Sequence, residues 1–142
     1  MSIKQISAFV ENKPGSSYQL LKTIADAGIN IRALNIADTK DFGVLRLIVE
    51  DCEKTRKVLG EDTVVIMTEV IAVEMEDQAG ALCQILKVLM EAGINIEYAY
   101  AFVTPTKKGA YTVLRVDRVA DAEAALTKNG YTLLTQNDTD RL

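Results

Sequence analysis

Histidine is absent from this 142-residue chain. Its absence removes the commonest general base and the commonest metal ligand. Asp, Glu, Lys and Tyr remain available for catalysis, so the absence argues against an enzyme without closing the question. Only two cysteines occur, Cys52 and Cys83, far apart in sequence; this fits a reducing compartment and offers no disulfide framework. No apolar run approaches the roughly 18 residues of a membrane span. The start, Met1-Ser2-Ile3-Lys4-Gln5-Ile6, lacks the apolar stretch of a secretory signal, so the expected location is the cytoplasm. Sixteen basic residues against twenty acidic ones, a net charge of −4, come without the Lys/Arg clustering that phosphate backbones require, and nucleic acid is not an expected partner. P-loop, dinucleotide glycine pattern, Cys-x-x-Cys pair and nucleophile elbow are all missing, so neither cofactor nor metal is expected.

What the chain does have is a repeat. Ala27-Gly28-Ile29-Asn30-Ile31 returns as Ala92-Gly93-Ile94-Asn95-Ile96, 65 positions later. Between Glu11 and Ile31, 10 of 21 residues equal their partners at 76–96, far above chance. Downstream the offset becomes 69, aligning Leu45-Arg46-Leu47 with Leu114-Arg115-Val116. The extra residues fall in 104–109, a turn-rich segment that tolerates insertion. Two copies result, residues 1–68 and 69–142, with a linker near Thr68-Glu69. Apolar residues make up 49% of the chain, enough for a core without staples.

Each copy reads as strand, helix, strand, strand, helix, strand. Residues 3–10 alternate, with Ile6, Ala8 and Val10 on one side and Gln5, Ser7 and Phe9 on the other, as in a half-buried strand. Ser16 and Ser17 follow the turn at 11–15 and suit a helix N-cap. Leu20, Leu21, Ile24 and Ala27 keep helical spacing, and Gly28 supplies the left-handed residue that ends a helix. Strands are expected at 30–38 and 44–50 around a polar turn at Thr39-Lys40-Asp41, then a helix at 53–59 and a strand at 63–67. The second copy gives strands at 70–75, 95–103, 110–117 and 131–135, with helices at 80–92 and 119–128. This is an α+β, ferredoxin-like order, an antiparallel sheet with its helices on one face. The opposite face carries Val44, Arg46 and Ile48 in one copy and Tyr111, Val113 and Arg115 in the other. It is too apolar to stand in water, so contact with another sheet, copy or chain is expected.

Other features have plainer readings. Tyr98, Tyr100 and Phe102 form an aromatic stripe that could stack bases, but the acidic surroundings favour packing against a partner sheet or a ligand wall. Cys52 lies between Asp51 and Glu53, which oppose thiolate formation, and reads as a packing residue. Cys83 reads as a small core or interface residue. The charged end at 137–141 reads as a frayed tail.

Taken together, the strand, Asn12-Lys13-Pro14-Gly15, a helix and Gly28-Ile29-Asn30-Ile31, duplicated, resemble the ACT domain, a regulatory module of amino-acid metabolism. The resemblance implies modules paired side by side, commonly two four-stranded sheets joined into one of eight strands. It also implies a small ligand, most often an amino acid, bound where paired modules meet. The matching positions are Asn12, Lys13, Pro14, Gly15, Ser16, Asn30 and Ile31 in copy one. In copy two they are Asp77, Gln78, Ala79, Gly80, Ala81, Asn95 and Ile96. The helix start after the turn has free N–H groups and a positive dipole end suited to a carboxylate. Copy two departs from the pattern: Ala79 replaces proline and Asp77 brings a charge, so two equal sites are not expected. Asn12 and Asp77 also suit a turn-capping role, and Gly28 and Gly93 a helix-ending one.

The reading that follows is a non-catalytic regulatory protein, expected as a homodimer because of the uncovered sheet faces. The alternative is the regulatory subunit of a biosynthetic enzyme, similar to the small subunit of acetolactate synthase, with a catalytic chain as partner. An acylphosphatase-like hydrolase would need an arginine in the loop after the first strand, where Lys13 and Gln78 stand.

Overall fold

The computed structural model describes residues 2–38, 41–103 and 110–142; most of the expected turn at 39–41 and the insertion at 104–109 lie outside them. The first copy, called module one below, forms β1 (Ile3–Glu11), α1 (Ser16–Asp26), β2 (Ile31–Asp38), β3 (Phe42–Val49) and α2 (Cys52–Leu59). β4 (Val64–Met75) follows, then module two continues with α3 (Ala81–Glu91), β5 (Ile96–Ala101), β6 (Ala110–Val116), α4 (Val119–Lys128) and α5 (Gln136–Arg141). The strands form one antiparallel sheet in the order β2-β3-β1-β4-β6-β5.

β4 is the shared element. Its first half pairs with β1, from Phe9↔Val64 to Ile3↔Val70, and its second half pairs with β6, from Ile71↔Leu114 to Met75↔Ala110. The expected linker at Thr68-Glu69 is therefore the middle of a 12-residue strand. The expected last strand at 131–135 is reduced to one bridge, Val73↔Leu133. The Leu134 N–H still donates to the Ala72 carbonyl at 2.9 Å, and the Glu74 N–H to that of Thr132 at 2.9 Å. Sharing one strand and shrinking another leaves six named strands, rather than eight, among the described residues.

Period-two alternation puts Ile6, Ala8, Leu45 and Leu47 against α1 and α2 in one core. Ile71, Val73, Leu114 and Val116 meet α3 and α4 in a second. The helix-free faces then meet each other. Ile3, Ala33, Ile48, Val70, Ala72, Tyr111, Val113 and Leu134 form a third core, flanked by Tyr100 and Phe102. The bridge Ala33↔Phe102 ties β2 to the end of β5, so the sheet curls until its two outer strands touch. The uncovered faces read from the sequence are thus covered by the other half of the same chain, as are the Tyr100 and Phe102 rings.

This closure corrects the reading of β1 as half-buried. Gln5 and Ser7, on its supposed wet side, are buried. Gln5 Nε2 donates to Tyr98 Oη at 2.7 Å and to Ser7 Oγ at 3.1 Å, and Tyr100 Oη donates to Gln5 Oε1 at 2.6 Å. A buried polar group is tolerable because it is hydrogen-bonded, here across the two modules. The Arg46 guanidinium lies 3.8 Å over the Tyr98 ring and donates to Asn35, a cation–π contact. Burial, then the neighbouring Tyr98, raises the Tyr100 hydroxyl well above its ordinary pKa, with Arg46 opposing.

Two further corrections concern ends. The tail at 137–141 is helical: Thr135 and Asp138 form a reciprocal capping box at the start of α5, the standard device for satisfying first-turn N–H groups. Gln136 Oε1 accepts from the Lys4 N–H at 2.7 Å, tying α5 to β1. Cys83 is exposed on α3 and so is not a core residue, whereas Cys52 is buried.

Candidate functional site

Both first helices begin and end alike. Their N-caps are Gly15 and Gly80, at φ of 91° and 88°, with no side-chain cap. The expected serine cap is not there: Ser16 is the first residue of α1 and Gly15 takes the left-handed position ahead of it, a conformation that glycine adopts without steric cost. Both helices close on the same paired bonds. The N–H groups of Gly28 and Ile29 donate to Ala25 and Ile24, and those of Gly93 and Ile94 to Met90 and Leu89. This is the Schellman ending read from Gly28 and Gly93.

Beside each uncapped helix start lies a cavity. In module one it measures about 590 Å³ and is lined by Phe9, Val10, Leu20 and Leu59 on the apolar side. Its polar wall includes Glu11, Lys13, Ser16, Gln19 and Asp62. In module two the cavity measures about 430 Å³, with Glu74, Glu76, Gln78, Gln84 and Tyr131 in its lining. The Lys13–Glu11 ion pair at 2.9 Å in the first becomes a neutral Gln78 amide donating to Glu76 at 2.7 Å in the second. Glu74 stands where module one has Phe9. One cavity therefore holds both signs of charge, and the other carries carboxylates without a cation.

The fourteen predicted positions divide accordingly. Lys13, Pro14, Gly15 and Ser16 line the first cavity, and Gln78 and Ala81 line the second. Asn12, Asp77, Ala79 and Gly80 belong to the same turns without lining the cavities. Asn30, Ile31, Asn95 and Ile96 are elsewhere. β1 and β2 both run antiparallel to β3 and so parallel to each other, which puts the turn after β1 and the start of β2 at opposite ends of the sheet. The arrangement in module two is the same. The Asn30 N–H donates to Glu50 at 2.9 Å and that of Asn95 to Asp117 at 3.1 Å, so both asparagines clamp strand ends. Near the first clamp, buried Arg32 reaches Glu50 at 3.6 Å.

Each of the two cavities lies within one module, and the seam between modules is filled by the chain's own side chains. Tyr98 and Tyr100 are engaged there by Gln5, and Tyr18 is exposed outside both cavities. A third, smaller cavity of about 330 Å³ joins Lys4, Glu50, Asp51, Cys52 and Glu53 to Gln136 and Asp140. Burial first, then the carboxylate of Asp140, pushes the Cys52 thiol up to about 11, which suits its packing role.

Glu11 and Asp62 were not among the expected site residues. Glu11 recurs as Glu76 in the repeat, a signal that was available. Asp62 reaches the cavity only because α2 returns its following turn beside β1, which is a tertiary event.

A family model described as an ACT domain pair matches residues 1–142. The chain belongs to the ACT domain pair family. Protein BT0572 from Bacteroides thetaiotaomicron is 34% identical, with a TM-score of 0.91 over 100% of this chain and 98% of that one. The regulatory subunit of aspartate kinase from Thermus thermophilus superposes with a TM-score of 0.63 over 87% of each chain, at 16% identity. Aspartokinase alpha and beta subunits give 0.53 and 25% identity over 87% of this chain and 90% of that one. No curated protein matches in sequence. As an ACT domain pair the chain has a regulatory fold. Among its described residues no helix is long and apolar enough to cross a membrane.

Proposed function

We propose that this ACT domain pair is a non-catalytic regulator that binds a free amino acid in the module-one cavity. The observation that carries the reading is the pairing of opposite charges in one open cavity beside an uncapped helix start. An α-carboxylate would meet Lys13 and the first-turn N–H groups of α1 beyond Ser16, whose own N–H already donates to the Lys13 carbonyl at 3.3 Å. An α-ammonium would meet Glu11 and Asp62, and the ligand's side chain would lie against Val10, Leu20 and Leu59. Gly15 leaves the backbone open to close approach, since no heavy atom lies within 4 Å of where its Cβ would be. Module two, acidic and without a lining cation, is the weaker site for a zwitterion. Binding shifts an equilibrium by its differential affinity for two states, and the output passes to another chain.

The likeness to aspartokinase subunits at 25% identity favours one second reading, in which the regulated partner is the catalytic chain of an amino-acid biosynthetic enzyme. Thermal denaturation against the twenty amino acids at millimolar concentration tests the first. A ligand at about 100 times its dissociation constant adds about 2.7 kcal/mol, a rise of roughly 5–10 °C for a chain of this size. A rise confined to one or a few related amino acids is expected. A flat panel would sink free-standing sensing, and co-purification with a catalytic chain would then decide for the second reading.

A further inference from the structure

The helix α5 is held to module one by very little. β3 pairs with β1 from Ile6 onward, so the first residues of β1 have no strand partner on that edge among the described residues. α5 fills the gap. The Lys4 N–H donates to Gln136 Oε1 at 2.7 Å, and the Lys4 carbonyl lies 4.0 Å from Cys52 Sγ. A side-chain amide thus stands in for a rung of the ladder. No apolar side chain reinforces it, since α5 reads Gln136-Asn137-Asp138-Thr139-Asp140-Arg141. Thr139 is its one buried residue, and that hydroxyl donates back to Thr135 of the same turn. A helix this short does not hold itself together in water, and its capping box adds local bonds rather than docking energy.

Charge opposes the docking as well. The cavity of about 330 Å³ beside α5 brings Asp140 toward Glu50, Asp51 and Glu53, with Lys4 as the cation among the described lining residues. Asp51 already caps α2, and Glu50 already holds the Asn30 N–H and faces Arg32. Their negative charges therefore stay in place when α5 docks, and they repel Asp140. What the docked helix covers is Cys52, which is buried and shares the cavity with Gln136 and Asp140.

We infer that α5 is a strap that lifts off module one while the sheet stays folded, baring the start of β1 and Cys52. The contacts that part are local: one bond to a backbone N–H, one buried threonine and a set of like charges. No residue of α5 belongs to any of the three cores. Leu133 and Leu134 do belong to cores and anchor the chain just before the strap, which makes Thr135 its hinge. Segments with few apolar contacts open at a smaller free energy than the whole fold.

Alkylation of Cys52 by N-ethylmaleimide, in the full chain carrying Cys83→Ser, tests this. Labelling should proceed at a rate that low urea leaves unchanged, because lifting the strap exposes little surface. Thr135→Ala, which removes the cap, and Gln136→Ala, which removes the tie to Lys4, should each speed it roughly fivefold. The urea midpoint of the sheet, read by circular dichroism, should stay at the parent value in both. A labelling rate that climbs with urea as steeply as global unfolding would overturn the inference. So would a rate that neither variant moves, or a midpoint that drops with either.

Discussion

The two modules share a plan and differ where chemistry is decided. Each has a glycine N-cap at positive φ, a Schellman ending and a cavity beside the first helix. In module one the cavity wall carries Lys13 with Glu11 and Asp62; in module two Gln78 replaces the lysine and Glu74 adds a carboxylate. Module one also lends its last strand to module two, while module two's own last strand shrinks to a bridge. Backbone geometry constrains a duplicated fold far more tightly than wall chemistry does. Duplication can therefore keep the frame and let the wall of one cavity change.

If the frame is one cooperative body, matched core deletions should act alike. Leu45 and Leu114 occupy equivalent fully buried positions. Either one changed to alanine should cost about 3 kcal/mol, and urea unfolding should stay a single transition because β4 serves both halves. Separate transitions for the two halves would break the shared-strand account. Next in size is Gln5→Ala, which leaves the Tyr98 and Tyr100 hydroxyls without their seam partner. A loss of about 2 kcal/mol is expected, and a double-mutant cycle with Tyr100→Phe should show coupling between the modules.

Gly15→Ala and Gly80→Ala sharpen the comparison at the helix starts. No heavy atom lies within 4 Å of either added Cβ, so the cost is backbone strain alone, about 1 kcal/mol each. Stability should fall equally, whereas affinity for the amino acid that shifts the melting temperature should fall only with Gly15→Ala. The smallest effect is expected at α5. Backbone and hydroxyl bonds from Thr135 hold the Asp138 carboxyl below its ordinary pKa of 3.8. A carboxyl so lowered stabilises fully above that ordinary value, and its contribution is lost as pH falls through the lower native one. Amide protection in 136–141, taken relative to the intrinsic exchange rate at each pH, should therefore fall on acidification, and Asp138→Asn should remove that change in protection.

Much of the frame was legible in the sequence. Gly28 and Gly93 announced two helix ends, the alternation in β3 and β6 announced a covered face, and the repeat announced the topology twice. The shared strand was not legible. Thr68 and Glu69 look like a break in an apolar run, yet hydrogen bonds from β1 and β6 on opposite edges hold the chain extended through them. Gln5 also misled, because a glutamine in an alternating strand reads as solvent-facing, and only the hydroxyls of Tyr98 and Tyr100, more than ninety residues away, make its burial tolerable. The α5 cap was a local signal that the acidic composition of the tail obscured. At the site, the turn was legible and the gathering of its partners was not. Asn30 belongs to the same sequence pattern as Asn12 but lies at the other end of the sheet, and Asp62 joins the cavity through a turn that no spacing rule predicts.

The claim that the modules are unequal is tested most directly by calorimetric titration with the amino acid that stabilises the chain. It should be run on wild type, Lys13→Gln and Gln78→Glu. Lys13 and Glu11 form an exposed pair, so Lys13→Gln should alter stability by no more than about 0.5 kcal/mol. One ligand per chain is predicted, with affinity reduced roughly tenfold, about 1.4 kcal/mol, by Lys13→Gln and unchanged by Gln78→Glu. Two equal sites per chain, or a loss that follows the module-two substitution, would contradict the account.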